Sequence, residues 1–76
     1  MKKEDNPNKL KKLESIRKAH NLTYQEMAQK LNMSKAYYWQ IENGNRNIYY
    51  KVAQKIAAIF DLKPDDIFYD DLKDKQ

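Results

Sequence analysis

Between residues 35 and 47 the chain gathers Lys35, Ala36, Tyr37, Gln40, Asn43, Arg46 and Asn47. The chemistry these side chains can do is non-covalent. Gln and Asn amides donate and accept hydrogen bonds, Lys and Arg hold anionic oxygens, and a small Ala leaves room for a methyl group. Across the whole chain there is one His, no Cys, no glycine-rich loop and no spaced pair of metal ligands. A catalytic or redox centre is therefore not expected, and neither is a cofactor or metal. Asp65, Asp66, Asp70 and Asp71 lack the glycine turn and alternating spacing of a calcium loop. A helix start followed by a solvated tail accounts for them better.

Charge points the same way as the side-chain types. Residues 1–60 carry twelve Lys/Arg against five Asp/Glu, and residues 61–76 carry three against six. A basic body with an acidic tail suits a polyanionic partner for the body. The absence of cysteine is compatible with a reducing compartment. MKKEDNPNKLKK at the start is followed by no apolar run, so neither a signal peptide nor a membrane partner is expected and the cytoplasm is the default.

These residues must be held by helices, because one Gly and two Pro in 76 residues are too few for an all-β fold of tight hairpins. Asn8 is the expected cap of a first helix bearing Leu10, Leu13 and Ile16, which His20 and Asn21 would end. Thr23-x-x-Glu26 reads as a capping box opening a second helix through Met27, Ala28 and Leu31. Asn32 is suited to a left-handed turn, and Ser34 to the cap of a third helix from about Lys35 to Asn43. Gly44, the only glycine, sits where that helix needs a left-handed residue. Val52, Ala53, Ile56, Ile59 and Phe60 mark a fourth helix, and Pro64-Asp65-Asp66 opens a short fifth with Ile67 and Phe68 inward. The spacing predicts one all-α domain over residues 9–69, a flexible N-terminal arm over 1–8 and an acidic tail over 70–76.

Counting Tyr24 as the first position, small Ala28 is fifth, Asn32 ninth, Tyr38 fifteenth and Ile41 eighteenth. A small fifth residue lets two helices cross closely, and the last two face inward. With LTYQEMAQKL, the turn Asn32-Met33-Ser34, Ile41-Glu42-Asn43-Gly44-x-Arg46 and the ending Pro64-Asp65-Asp66-Ile67-Phe68, the chain resembles the Xre/Cro-CI-like helix-turn-helix family of bacterial and phage DNA-binding regulators. The resemblance runs from about Leu13 to Phe68. It departs from the family where Tyr24 replaces a phosphate-contacting Gln, Asn32 a Gly, Tyr38 an aliphatic residue, and Ile48 a frequent Pro.

The resemblance implies a compact five-helix lambda-repressor-like domain with helix 3 in the major groove of double-stranded DNA. With Tyr38 and Ile41 inward, Ala36, Gln40 and Asn43 fall on the outer side, and Tyr37 and Trp39 on the flanks. Lys35, Ala36, Tyr37 and Gln40 are the expected base readers, since Gln can pair bidentately with adenine and Ala can touch a thymine methyl. Thr23, Tyr24, Gln25, Asn43, Arg46 and Asn47 are the expected phosphate contacts, from side chains and from backbone N–H groups at the helix ends. In the resembled family the places of Arg17 and Glu42 form a buried structural salt bridge.

A single unit of this kind covers little DNA, so a homodimer on a near-palindromic operator is expected, with Tyr69 and Leu72 as candidate dimer contacts. The short stretch after Phe68 leaves no expected ligand-sensing domain and no small-molecule ligand. Such a protein would act as a repressor through abundance, competition or an external partner. The competing reading is a protein-interaction module on the same fold, of antitoxin or anti-repressor type, read through Tyr37, Trp39, Tyr49 and Tyr50. Trp39 itself could pack on helix 4, lie on sugar-phosphate, or meet a protein.

Overall fold

The computed structural model describes the backbone of residues 8–73 and the side chains of residues 8–68. Among these the chain forms five helices and no strand: α1 Lys11–Ala19, α2 Tyr24–Leu31, α3 Lys35–Glu42, α4 Tyr50–Ile59 and α5 Pro64–Lys73. Residues 1–7 of the expected arm and the side chains of Tyr69 and Leu72 lie outside the described residues.

Local chemistry explains most of the boundaries. Thr23 Oγ accepts from the Glu26 N–H at 3.1 Å while the Glu26 carboxylate accepts from the Thr23 N–H at 2.9 Å, a complete capping box for α2. Ser34 Oγ accepts from the Tyr37 N–H at 3.0 Å and starts α3. At α5 the Asp66 carboxylate accepts from the Lys63 N–H, so this acid serves the helix start.

Four helices stop in a similar way, with a left-handed residue at the cap (α2) or just after it (α1, α3 and α4) whose neighbour bonds back into the last turn. These residues are Asn21, Asn32, Gly44 and Asp61, with φ of 58°, 59°, 81° and 58°. After α3, Gly44 N–H reaches Ile41 O at 3.2 Å and Asn45 N–H reaches Gln40 O at 2.8 Å, a Schellman arrangement.

One boundary corrects the sequence reading. Asn8 does not cap α1: the cap position is Leu10, with no side-chain cap bond. Leu10 is 5% exposed and its N–H donates to Glu42 O at 2.9 Å, so core burial and a tie to the end of α3 outweigh the local preference of Asn8. α5 runs on to Lys73, into the stretch expected to form the acidic tail. No Gly or Pro interrupts the chain there, and Leu72 falls four residues after Phe68, at helical spacing.

The core is built from one stripe of each helix: Leu13 of α1, Met27 and Ala28 of α2, Tyr38 and Ile41 of α3, Ala53, Ile56 and Ala57 of α4, and Ile67 and Phe68 of α5. Ala28 is fully buried, which lets α2 and α3 pack closely on either side of the Asn32–Ser34 turn. No helix among the described residues is long and apolar enough to cross a membrane.

Candidate nucleic-acid interface

The inner face of α3 is fixed by a closed polar network. Arg17 Nε donates to Glu42 Oε1 at 2.8 Å and its Nη2 to Oε2 at 3.0 Å, a bidentate pair. The remaining Nη1 donates to Leu22 O at 2.8 Å, and the Tyr38 hydroxyl donates to Glu42 Oε1 at 2.7 Å. The Arg17 guanidinium also lies 4.3 Å from the centre of the Tyr24 ring. Hydrogen bonding to Glu42 holds Arg17 above the ordinary guanidinium range despite burial. Burial, followed by the bond to Glu42, pushes the Tyr38 phenol well above its ordinary range. Among the described residues no buried side-chain polar atom lacks a partner. The charges are therefore paired as burial demands, and they fix the rotation of α3 about its own axis.

With Tyr38, Ile41 and Glu42 inward, Lys35 and Ala36 are exposed on the outer face and Tyr37 and Gln40 are half-buried. The loop after α3 turns back at Gly44 and brings Arg46 to this face. Arg46 Nε donates to Gln40 Oε1 at 2.6 Å, and the guanidinium sits 4.8 Å from the Tyr37 ring centre. The structure thus joins Tyr37, Gln40 and Arg46 into one cluster. The link between Gln40 and Arg46 was missed in the sequence, because it depends on the reversal at Gly44. Tyr49, exposed at 66%, lines a concavity with Arg46 and Asn47 and was missed as a neighbour of that cluster. On the other side of Gln40, the residues Lys35, Ala36 and Trp39 line a shallow and mostly apolar notch with it.

The residues at the α2 side are differently engaged. Thr23 spends its N–H and one hydroxyl lone pair on the capping box. Gln25 is exposed at the helix start. The Tyr24 ring is half-buried against Tyr38 and Arg17, with its hydroxyl receiving Asn43 Nδ2 at 3.5 Å. Asn43 Nδ2 also donates to Trp39 O at 3.0 Å, so Tyr24 and Asn43 bridge the two helices. Asn47 is exposed and stands beside Arg46 in the loop. Trp39 is 41% exposed on the flank of α3.

Two comparisons bear on this arrangement. A family model described as helix-turn-helix matches residues 13–67, from within α1 into α5. The chain is also 43% identical over 61 residues to an uncharacterised HTH-type transcriptional regulator of Methanocaldococcus jannaschii, an alignment covering 79% of this chain and 92% of that protein. A pair of helices crossing at Ala28, a left-handed turn at Asn32 and a third helix locked from within are what such a match should contain, and the chain belongs to the Xre/Cro-CI-like helix-turn-helix family.

Proposed function

We propose that this protein is a transcriptional regulator that binds double-stranded DNA sequence-specifically, acts as a repressor, and lays α3 in the major groove. The helix-turn-helix match and the regulator relative support a DNA-binding regulator. The single observation that carries the finer reading is the outer face of α3. There Lys35, Ala36, Tyr37, Gln40 and Arg46 stand together on a helix whose inner face is clamped by Arg17 and Glu42.

Lys35, Ala36, Tyr37 and Gln40 are positioned to meet base edges, while Arg46 and Asn47 flank them at the height of a phosphate backbone. The N–H groups of Tyr24 and Gln25, in the first turn of α2, and the hydroxyl hydrogen of Thr23 add donors on the other side. Asn43 contributes by holding Tyr24 in place, and its exposed edge can still meet phosphate. The protein binds as a homodimer to a near-palindromic operator with half-sites about 34 Å apart. Tyr69 and Leu72 are the candidate dimer contacts.

Selection of bound duplexes from a random pool tests this reading. An enriched inverted repeat is expected, with affinity falling steeply in salt at a log–log slope of about −0.9 per phosphate contacted. A second reading, a protein-interaction module, is favoured by the exposure of Tyr49 at 66% and Tyr50 at 56%. No enriched motif, together with salt-insensitive retention of a protein partner, would establish it instead.

A further inference from the structure

An exposed arginine such as Arg46 is the kind of residue assigned to phosphate, yet its Nε is committed to a side chain of α3. Gln40 Oε1 accepts that N–H at 2.6 Å, and the guanidinium is steadied over the Tyr37 ring at 4.8 Å. A glutamine amide reads adenine by accepting from N6 and donating to N7 at once. With a cation already on Oε1, a second donor approaching that oxygen meets both crowding and like polarity. The amide is also held in one orientation, with its NH2 group left as the part free to bond. Gln40 lines the notch formed with Lys35, Ala36 and Trp39 on the side away from the Arg46 loop. A hydrogen-bond donor beside an apolar notch is the complement of one base in the major groove. Thymine presents the O4 acceptor next to its 5-methyl group. Cytosine presents a donor, adenine sets the N6 donor beside its N7 acceptor, and guanine has acceptors, but none of the three carries the methyl group.

We propose that Arg46 determines specificity through Gln40, setting it as a donor so that the Gln40–Ala36–Trp39 notch reads thymine rather than adenine. This rests on α3 lying in the major groove. Gln40 donates Nε2–H to O4, the methyl group packs on Ala36 and the edge of Trp39, and Arg46 acts as a positioning residue with its Nη groups turned to the backbone.

The test starts from the motif selected by the wild-type protein and finds the base position whose preference collapses in Gln40→Ala. Thymine is expected there, preferred over adenine by about tenfold. Replacing that thymine by deoxyuridine, which keeps O4 and lacks the methyl, should weaken binding about fourfold. Arg46→Lys keeps a positive charge for the backbone but loses the Nε–H, so the thymine preference should fall to near parity with adenine or reverse. Adenine at that position in the wild type, equal binding of deoxyuridine, or a thymine preference intact in Arg46→Lys would each overturn the proposal. So would a motif in which no position answers to Gln40→Ala. A wild-type protein that selects no motif at all would instead remove the DNA-binding reading, and this inference with it.

Discussion

Two arginines approach α3 from opposite sides with nearly the same local geometry. Arg17 gives its Nε to Glu42 at 2.8 Å and covers Tyr24 at 4.3 Å; Arg46 gives its Nε to Gln40 at 2.6 Å and covers Tyr37 at 4.8 Å. Surroundings separate them. Arg17 is 5% exposed, its acceptor is charged and fully buried, and Nη1 and Nη2 are both bonded. Arg46 is exposed, its acceptor is neutral, and among the described residues no other group takes its Nη hydrogens. The same donor fork therefore makes a fixed strut in one place and an open hand in the other. Burial decides which, because a desolvated charge must be fully paired whereas a solvated one can exchange water for a ligand.

The sharpest way to break this comparison is to remove one half of the inner pair. Arg17→Met or Glu42→Leu alone should each lower unfolding stability by about 3–5 kcal/mol, since the partner is left buried and unpaired. The double variant should be less destabilised than the sum, with an apolar pair filling the space. Urea titrations of the four proteins measure this. Full additivity would mean that the two side chains act independently despite their bidentate geometry.

Next in size is the contribution of Tyr38, which sharpens the comparison by pH. Its hydroxyl donates to Glu42, and its folded pKa is raised above the unfolded value of about 10 by burial first and by that bond second. A raised folded pKa means that the stability is fully present below about pH 10. It is lost as pH climbs further, because only the unfolded chain releases the proton there. The fall should approach about 1.4 kcal/mol per pH unit. Tyr38→Phe should cost about 1.5–3 kcal/mol at neutral pH, as a bond to a charged group is removed, and should flatten this alkaline fall. Unfolding measured across that range checks both, and an unchanged slope in Tyr38→Phe would assign the titration to another group.

How much of this could be read beforehand depends on the range over which each feature is decided. The α2 capping box needs only Thr23 and Glu26, and the left-handed turn needs only Asn32, so both were legible. The helices and their order followed from apolar spacing for the same reason. Arg17 and Glu42 are 25 residues apart, and no local pattern couples them; only the family resemblance brought them together. Gly44 shows a mixed case. Its left-handed conformation could be expected from the end of α3, but Asn21, Asn32 and Asp61 adopt a similar conformation without being glycine. What sets Gly44 apart is that a Cβ there would lie 2.6 Å from the backbone carbon of Asn8. That close approach comes from the segment that was misread as a simple cap for α1. The Arg46–Gln40 bond was illegible for a related reason. Six residues separate the pair, but only the reversal at Gly44 makes them neighbours.

The smallest effect on stability is expected on the outer face, and its smallness is what makes it informative. Arg46→Ala removes a 2.6 Å hydrogen bond and a ring contact, yet both groups left behind are in reach of water. Unfolding stability should change by no more than about 0.5 kcal/mol. DNA affinity should nevertheless drop, with the magnitude of the salt slope reduced by about one if an Nη group of Arg46 meets a phosphate. Urea unfolding and binding to the selected operator at several salt concentrations, done on the same preparation, separate the two roles. A large loss of stability would make Arg46 a second strut rather than an open hand. Unchanged stability with an unchanged salt slope would take the phosphate away from Arg46 and leave it to Asn47, Gln25 and the backbone N–H groups of α2. Only a protein that folds normally and binds less steeply keeps the contrast between the two arginines, because it separates what burial fixes from what exposure leaves available.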